Sequence, residues 1–354
     1  MGRSTALIGI VGSGYVAERH SSILVQIPQA RIAAYCDTIR DRAERLASRY
    51  GGKAFTDFVK MMDAVQLDAV FLCTPPSIRL EVIEAAATRG VHVFVEKPIA
   101  LTLEEGKAIV ATANSRGITL HVGYAYRYHD VSRSIKERIE SGELGTITQF
   151  AGRYWGGIPG PDWWTKRSMG GGQLVEQATH VFDLGRFLLG DIESVCAVLD
   201  RSIHAGQPHF EVEDSAVVIM KFKEGPIGYV SSTCDTPFQE ANLVEAITVG
   251  SRGMAVLRPR VAELILIERP SGSHGNTFLE GNPHKEHSAH PKEVGYFNQC
   301  QAFIRNVLGD PGLPLVSGED ALLTLATCLA AHHSYASQHW VEVDAFLSGD
   351  LDAG

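Results

Sequence analysis

The sequence of 354 residues lacks the features that identify several classes of protein. Its six cysteines are scattered and form no Cys-x-x-Cys pair, which argues against a zinc site or a disulfide framework. No apolar run approaches the roughly 20 residues that a membrane-spanning helix needs, and the N-terminus does not resemble a signal peptide. Acidic residues outnumber basic ones by 41 to 32 without a long basic block, so neither nucleic acid nor an anionic membrane is an expected partner. We therefore predict a cytoplasmic protein that holds no metal.

The sequence does contain a glycine-rich turn near its N-terminus. The apolar run Ala6–Val11 leads directly into the segment Gly12–Ala17, which reads GSGYVA. A strand that enters such a turn and continues as a helix is typical of dinucleotide-binding domains. The glycines let the backbone approach a pyrophosphate, and the N-terminus of the helix offers it free N–H groups. The residues predicted to bind the cofactor here are Gly12, Ser13, Gly14, Tyr15 and Val16.

The identity of the cofactor depends on Asp37, which ends a second apolar run, Arg31–Cys36. A carboxylate at this point can accept hydrogen bonds from the adenosine ribose and would repel the 2′-phosphate of NADP. Arg40 is near enough in the sequence to bind that phosphate, so NADP stays open as the alternative to NAD. Asp37 could also cap the helix that follows it, a role compatible with ribose binding. We predict NAD, with Asp37 and Thr38 in contact with it.

The order of the predicted elements divides the chain into two domains. Apolar strands alternate with helices through residues 1–123, which predicts a doubly wound α/β Rossmann domain with a parallel sheet covered on both faces. Residues 124–354 contain successive strands with short turns, which predicts an α+β domain with one large antiparallel or mixed sheet. The uncovered face of that sheet is the expected contact between the subunits of a homodimer or homotetramer. The C-terminal helix could also pack back on the first domain.

Two strand ends of the first domain carry residues suited to chemistry, and ligands of such sheets collect at the carboxyl ends of the strands. The segment 73–76, with the sequence CTPP, must turn there because proline cannot continue a strand. Lys97 follows another strand in the segment EKP, where partial desolvation would let it exchange a proton with a substrate hydroxyl. A Glu96–Lys97 pair that merely ends the strand is an equal alternative. The further predicted cofactor contacts are Thr74, Pro75, Glu96 and Lys97.

The second domain places a carboxylate and an imidazole one helical turn apart. Glu176 and His180 lie on a helix predicted over 173–189, which follows three glycines, and Asp183 is a near neighbour on it. Such a pair can act as an oriented base. It could instead hold a metal, although no third ligand is evident, or consist of a structural histidine satisfied by a carboxylate. The glycines favour function, because they let another backbone or a ligand come near the helix start.

Taken together, these segments resemble the glucose–fructose oxidoreductase, inositol dehydrogenase and MocA family. The resemblance covers nearly the whole chain in the same order and is specific to the family rather than to a substrate. It implies a Rossmann domain followed by an α+β domain, in dimers or tetramers built on the second sheet. It further implies hydride transfer between a bound nicotinamide and a hydroxyl-bearing carbon of a sugar, glycoside or cyclitol. The matching segments are 12–17, 37, 73–76, 96–98, 126–128, 170–183 and 317–321.

The resemblance also implies the roles of individual residues. Lys97 corresponds to the family's catalytic lysine, with a cis peptide before Pro98, and His180 corresponds to the acid/base that removes the hydroxyl proton. Glu176 stands where the family commonly has aspartate, and its longer side chain should still reach the substrate or His180. Arg79 stands where many members have histidine, which puts a ring-stacking role in doubt and adds a fixed positive charge near the cofactor.

Substrate contacts are predicted from aromatic and basic residues of the second domain. Three tryptophans flank the segment 156–161, and aromatic faces suit the C–H faces of a sugar, although such tryptophans could instead pack the domain interface. Arg127 is expected to bind the cofactor amide, a substrate group or a surface carboxylate. The segment with His284, His287 and His290 is interpreted as a mobile lid rather than a zinc site. The predicted substrate-binding residues are Lys97, Tyr126, Arg127, Trp155, Trp163, Trp164, Lys166, Glu176 and His180.

Three further functions remain open from the sequence. One is a glycosidase that uses tightly held NAD to oxidise, eliminate and re-reduce its substrate. Another is a reductase of a ketosugar or an imine, which differs in direction and substrate. A non-catalytic protein that senses nucleotide is disfavoured, because Lys97 and His180 are both present.

Overall fold

The computed structural model describes residues 4–158, 160, 162–236, 243–268, 283–287 and 293–350, and the chain forms two compact units. Unit 1 comprises Met1–Ala125 and Tyr296–Leu322, and unit 2 comprises Tyr126–Gly295 and Leu323–Gly354. Residues 296–322, which the sequence analysis placed in the second domain, therefore pack with unit 1. The physical reason is burial, because Cys300, Phe303 and Ile304 lie in the hydrophobic core of unit 1.

The predicted alternation of strands and helices in the first third of the chain is confirmed. In chain order the α-helices are α1 (Tyr15–Leu24), α2 (Arg40–Tyr50), α3 (Phe58–Ala64), α4 (Arg79–Thr88), α5 (Leu103–Arg116), α6 (Asp130–Glu140), α7 (Arg167–Gly170), α8 (Thr179–Leu189), α9 (Val294–Val307), α10 (Gly318–Ser337) and α11 (Val343–Ser348). The strands are β1 (Ala6–Val11), β2 (Ala30–Cys36), β3 (Lys53–Phe55), β4 (Ala69–Leu72), β5 (His92–Val95), β6 (Leu120–Val122), β7 (Ile147–Trp155), β8 (Ile192–Asp200), β9 (Ser215–Phe222), β10 (Ile227–Thr233), β11 (Leu243–Gly250), β12 (Gly253–Arg258), β13 (Glu263–Glu268), β14 (Pro283–His287) and β15 (Val341–Glu342).

Unit 1 contains a six-stranded parallel sheet in the order β3-β2-β1-β4-β5-β6. Its central strands are apolar because helices cover both faces, and every residue of β4 is buried. Phe71 of β4 and Phe94 of β5 stack with their ring centroids 4.4 Å apart, and Phe303 of α9 packs edge-on against both rings. The predicted doubly wound fold is thus confirmed. Because β1, β4 and β5 are adjacent and parallel, the turns that follow them lie along one edge of the sheet.

Unit 2 contains a nine-stranded sheet in the order β14-β13-β12-β11-β7-β10-β9-β8-β15. Within the described strands β7 and β10 run parallel, and the other neighbouring pairs are antiparallel. Phe150 of β7 is buried against Gly185 of α8, which covers one face of the sheet. The predicted α+β fold with one large mixed sheet is confirmed. The large apolar side chains exposed on the opposite face include Val198, Val217, Ile219, Ile227 and Tyr229.

The histidine-rich segment differs from the prediction in its described part. Residues 283–287 form the edge strand β14, paired with β13, and not a mobile loop. Glu286 fixes this strand, because it accepts hydrogen bonds from Arg138 at 2.6 Å and from Ser134 at 3.0 Å. Residues 269–282 and His290 lie outside the described residues.

Three expectations from composition can be compared with the structure. Within the described ranges no helix combines the length and the hydropathy that a bilayer span requires. All six cysteines carry free thiols. The same described residues contain no group of three or more side chains arranged to hold a metal ion.

Candidate active site

The glycine turn after β1 allows a ligand to approach the backbone closely. Gly12 has a φ of +86°, and a Cβ atom there would lie 2.8 Å from the carbonyl oxygen of Cys73, so only glycine fits without strain. At Gly14, no described atom lies within 4 Å of the position that a Cβ would occupy, so open space adjoins the N-terminus of α1. This arrangement fits a pyrophosphate, which binds backbone N–H groups at a helix N-terminus.

Asp37 lies beside this turn and binds it directly. One carboxylate oxygen accepts a hydrogen bond from the backbone N–H of Ser13 at 2.8 Å, and the other accepts one from the N–H of Ile39 at 2.9 Å. The carboxylate therefore joins the glycine turn to Ile39, the residue that precedes α2. The hydroxyls of Ser13 and Thr74 are buried without a hydrogen-bond partner in the described part of the chain. Because buried hydroxyls are usually paired, these two fit a site for a polar ligand such as a dinucleotide.

Lys97 follows β5, and its backbone is held by Arg79. Nη2 of Arg79 donates to the carbonyl oxygens of Thr74 at 3.2 Å and of Lys97 at 3.3 Å, so one guanidinium joins the turns after β4 and β5. Arg79 is buried, and the sequence analysis missed this role of the residue. The peptide bond between Lys97 and Pro98 is cis, as predicted.

Glu96 is bound to a buried partner that the sequence analysis missed. Nε2 of the fully buried His20 lies 2.7 Å from a carboxylate oxygen of Glu96, and Nδ1 of the same ring lies 3.4 Å from Sγ of Cys300. Burial alone would raise the pKa of Glu96, but the hydrogen bond from His20 and the positive charges of Lys97 and Arg79 outweigh it and lower the pKa. Glu96 thus joins the end of β5 to α1, and its contact with the cofactor stays a prediction.

His180 of α8 packs against two tyrosine rings. Its ring centroid lies 4.7 Å from that of Tyr126 and 6.4 Å from that of Tyr154, whose plane is within 9° of parallel. Arg260 donates from Nε to the hydroxyl of Tyr126 at 3.1 Å and from Nη2 to the hydroxyl of Tyr154 at 2.6 Å. The structure therefore brings together two predicted site residues, Tyr126 and His180. It adds Tyr154 and Arg260, which were not predicted from the sequence. The alternation along β7 could have indicated Tyr154, whereas no pattern marks Arg260.

Glu176 is oriented by Trp164. The indole N–H of Trp164 donates to a carboxylate oxygen of Glu176 at 2.9 Å. Trp164 is fully buried and packs with Phe210 and Val212 in a small hydrophobic cluster, against which Trp163 packs partly buried. The predicted stacking of Trp164 on a substrate is therefore corrected, because its ring is a core side chain. Its polar edge, not its face, contributes to the site.

The helix predicted over 173–189 begins as a π-helix, Leu174–Ala178, which continues as α8. Its start is held by Glu213, whose carboxylate accepts a hydrogen bond from the backbone N–H of Leu174 at 2.9 Å. Gly172 has a φ of +103°, and a Cβ atom there would lie 2.8 Å from the carboxylate oxygens of Glu213. Gly172 thus makes room for Glu213, and a Cβ atom at Gly170 would lie 3.0 Å from the carbonyl oxygen of Trp164, so the glycine run admits another backbone, one of the two alternatives stated above. π-Helical turns are frequent at functional sites, and this one contains Glu176.

Two basic side chains bind Glu213. Nη2 of Arg167 donates to its carboxylate at 2.8 Å, and Nε2 of His332 lies 3.2 Å from it. The side chain of Glu213 is 3% exposed. Burial would raise the pKa of this carboxyl, but the hydrogen bond from His332 and the positive charge of Arg167 outweigh burial and lower the pKa to about 2. Glu213 is therefore a buried anion that fixes the start of the helix carrying Glu176 and His180.

Arg127 forms a bidentate ion pair with Asp183 of α8. Its Nε and Nη2 donate to the two carboxylate oxygens at 2.7 and 2.6 Å, and Asp183 is buried. Such a paired geometry fixes the orientation of both side chains. The ion pair joins Arg127, which follows Tyr126 in the sequence, to α8, the helix that carries His180. The contact of Arg127 with cofactor or substrate stays a prediction.

The structure separates Trp155 from His180. Successive residues of a strand point to opposite faces of the sheet, so Trp155 lies on the face opposite to that of Tyr154. Its indole N–H donates to the hydroxyl of Ser231 at 3.1 Å. The contact of Trp155 with a substrate stays a prediction. Lys166 is exposed, and its role stays a prediction.

Comparison with known families identifies two successive stretches of the chain. Residues 6–124 match the family described as "Oxidoreductase family, NAD-binding Rossmann fold", and residues 132–256 match the "GFO/IDH/MocA C-terminal domain". The chain belongs to the GFO/IDH/MocA oxidoreductase family. The predicted family, the enzyme class and the NAD cofactor are thereby confirmed.

Full-length relatives of this GFO/IDH/MocA protein include two inositol dehydrogenases. The chain is 26% identical over 351 residues to the myo-inositol 2-dehydrogenase of Thermotoga maritima, with 96% of this chain and 99% of the relative covered. It is 27% identical over 342 residues to the scyllo-inositol 2-dehydrogenase (NAD(+)) of Bacillus subtilis, with 95% of each covered. A solved levoglucosan dehydrogenase in complex with NADH and levoglucosan has a TM-score of 0.86 at 23% identity, covering 96% of this chain and 99% of that one. This last similarity shows that the two proteins share a fold.

The candidate residues of this GFO/IDH/MocA oxidoreductase form one group in each unit. In unit 1 the glycine turn, Asp37 and the turns after β4 and β5 provide backbone N–H groups, a carboxylate and buried hydroxyls, which are the groups that hold a dinucleotide. In unit 2 aromatic residues hold an imidazole and a carboxylate: Tyr126 and Tyr154 pack against His180, and Trp164 donates a hydrogen bond to Glu176. Such held groups can accept and return a proton without first being ordered.

Proposed function

We propose that this oxidoreductase transfers a hydride between NAD and a secondary hydroxyl group, or the corresponding ketone, of a sugar, glycoside or cyclitol. The observation that carries the proposal is the position of the His180 imidazole, which packs against the rings of Tyr126 and Tyr154. His180 lies on the same helical segment as Glu176. An oriented imidazole can take up a hydroxyl proton near neutral pH. The relatives named as inositol dehydrogenases act on hydroxylated rings, which supports a substrate of the same class.

The side chains of the protein account for the proton transfer in this proposal. In the oxidising direction, His180 accepts the hydroxyl proton of the substrate at a ring nitrogen while the C–H bond of the same carbon breaks. Bound NAD+ supplies the acceptor for the hydride. Lys97 donates a hydrogen bond from Nζ to the substrate oxygen and stabilises the negative charge that develops there. Glu176, held by the indole of Trp164, keeps the substrate and the imidazole in the reactive orientation. In the reducing direction His180 returns the proton.

The direct test is a screen of the purified protein against polyols and sugars with NAD+ and with NADP+. The absorbance of the reduced cofactor reports turnover, and myo-inositol and scyllo-inositol are the first compounds to try. We expect reduction that depends on at least one cyclitol or sugar. Protein that neither binds nor reduces either cofactor would overturn the proposal. Consumption of a glycoside without net reduction of NAD would identify the NAD-dependent glycosidase instead, and turnover confined to a ketosugar or imine with NADH would identify the reductase.

The preference for NAD over NADP is proposed to depend on the charge of Asp37. Asp37→Asn keeps a carbonyl oxygen that can accept a hydrogen bond from Ser13 or Ile39 but removes the negative charge. We expect the ratio of kcat/KM for NAD to that for NADP to fall about 10-fold, because repulsion of the 2′-phosphate is lost. Asp41→Asn, at an exposed carboxylate of α2, is the control. An unchanged ratio in Asp37→Asn would show that another residue sets the preference.

We further propose that the chain forms a homodimer or homotetramer through the open face of the nine-stranded sheet. Exposed apolar side chains such as Ile219 and Tyr229 lie side by side on that face, and a contiguous apolar surface is typical of subunit contacts. Light scattering should give a mass two or four times that of one chain. The double substitution Ile219→Lys with Tyr229→Lys should lower it to one chain. Val25→Lys, at an exposed apolar residue of unit 1, is the control, and a monomeric wild type would contradict the proposal.

We also propose a cytoplasmic location. The six free thiols support it, because cysteines remain reduced in that compartment. Fractionation of the source cells, followed by immunodetection of the protein, tests the location, and recovery from an extracellular fraction would contradict it.

A further inference from the structure

We propose that Arg260 is a positioning residue for His180 and acts through the hydroxyl groups of Tyr126 and Tyr154. The inference rests on the proposed function, in which His180 exchanges a proton with the substrate. Arg260 lies in the 3₁₀ turn Pro259–Val261 between β12 and β13. Tyr126, Tyr154 and His180 lie on three other segments of unit 2. The hydrogen bonds of Arg260 and the ring contacts of the tyrosines therefore connect four segments.

Arg260 binds both tyrosine hydroxyls along one edge of its guanidinium. Nε donates to Tyr126 at 3.1 Å, and Nη2 donates to Tyr154 at 2.6 Å. The N–H bonds of this edge run nearly parallel because the guanidinium is planar, so the two hydroxyls are held side by side. Cζ of Arg260 also lies 5.2 Å from the ring centroid of Tyr154, within the range of a cation–π interaction. A single cation thus fixes the positions of two rings.

The two rings in turn confine the imidazole of His180. Tyr126 lies 4.7 Å and Tyr154 lies 6.4 Å from it between ring centroids. The three residues are buried, with exposed fractions of 7% for Tyr126, 6% for Tyr154 and 7% for His180. In such close packing a tilt of either tyrosine moves the imidazole or opens a void beside it. A displacement of about 1 Å in a catalytic group can cost about 100-fold in rate, so the bonds of Arg260 bear on turnover.

Arg258 is a natural control, because it is two residues away and bonds to different groups. It donates from Nε to Glu245 at 2.7 Å and from Nη1 to Glu263 at 2.8 Å. The two bonds just described for Arg258 go to carboxylates, whereas the two described for Arg260 go to the hydroxyls of the rings that contact His180. A general effect of losing an arginine from this part of the chain should appear in both variants.

A double-mutant cycle tests the inference. We expect Arg260→Met to lower kcat by about 10- to 100-fold and to change KM by less than about threefold, because His180 is displaced while other substrate contacts remain. The double substitution Tyr126→Phe with Tyr154→Phe removes both acceptors, keeps both rings and should cause a similar loss. In that background Arg260→Met should lower kcat by a clearly smaller factor than it does in the wild type, since its bonds to the two hydroxyls are already absent. Arg258→Met should leave kcat unchanged. Fully additive losses would overturn the proposal.

A measurement that does not depend on turnover separates this inference from the proposed function. Ring signals of His180, in protein labelled with ¹⁵N-histidine, are assigned by their absence from the spectrum of His180→Asn. Arg260→Met should shift or broaden them and leave the signals of the buried His20 in place. Unchanged His180 signals would overturn the positioning role even if kcat falls. If the wild type oxidises no substrate, the proposed function fails, and the His180 signals still decide the role of Arg260.

Discussion

Replacing Lys97 with methionine is expected to lower kcat/KM by about 10²- to 10³-fold, the usual cost of removing one donor that stabilises a developing oxyanion. The substitution removes the ammonium group but keeps an unbranched side chain. The backbone should stay in place, because Arg79 bonds the carbonyl oxygen of residue 97 at 3.3 Å. The developing charge on the substrate oxygen would then lack the hydrogen bond that we propose for Lys97. Steady-state kinetics with a substrate from the screen measure the effect.

Two controls show whether that loss is specific to Lys97. Lys107→Met removes an exposed lysine of α5 in the same unit and should change kcat/KM by less than about twofold, as most surface substitutions do. Binding of NADH, followed by its fluorescence, should persist in Lys97→Met, because the glycine turn and its bond to Asp37 remain. Wild-type kcat/KM in Lys97→Met would exclude the lysine from the reaction.

The substitution Glu213→Gln is expected to lower the free energy of unfolding of unit 2 by about 3 kcal/mol. This free energy corresponds to the difference between the pKa of Glu213 in the unfolded protein, 4.5, and its pKa of about 2 in the folded protein. Glu213→Gln keeps the shape of the side chain, but Arg167 and His332 lose the charge to which they are bonded, and the N–H of Leu174 faces a neutral group. Urea unfolding, followed by the tryptophan fluorescence to which the buried Trp164 contributes, measures the loss.

The effect of Glu213 should depend on pH in one direction. Its pKa is lower in the folded than in the unfolded protein, so its stabilisation is complete above about pH 4.5 and is lost as the pH falls towards 2. The difference in unfolding free energy between the wild type and Glu213→Gln should therefore be largest near neutral pH and shrink in acid. Glu211→Gln is the matched control, because Glu211 is an exposed carboxylate of the same segment that accepts a hydrogen bond from the N–H of Arg167. A difference that is independent of pH would mean that shape, rather than charge, stabilises the helix start.

The fold could be predicted because short patterns in the sequence determine its elements. The apolar segment 68–73 predicts a strand covered on both faces, and every residue of β4 within it is buried. In β9, by contrast, buried residues alternate with exposed ones, as expected for a strand with one covered face. Such patterns need no knowledge of distant residues, so the kind and order of the elements follow from a single sequence.

The partners of the candidate site residues could not be predicted in the same way. His20 and Cys300 meet although 280 positions separate them, and Arg260 is 134 positions from Tyr126. These contacts arise from the topology of a whole unit, and no local periodicity connects their members. Trp164 illustrates a second limit, because tryptophan serves equally in a hydrophobic core and against a sugar ring. Its burial decides between these roles, and burial depends on the folded chain.

Unit 1 is assembled from two separate stretches of sequence, Met1–Ala125 and Tyr296–Leu322. The second stretch supplies Phe303 to the same core as Phe71 and Phe94. A gene fragment that ends after codon 125 would therefore encode a nucleotide-binding unit whose aromatic core faces water. Exchange of this unit between related genes needs breakpoints near codons 125, 295 and 322, because one crossover would join mismatched parts of a single core. The two units are thus expected to be inherited together, and their phylogenetic trees should have the same branching order.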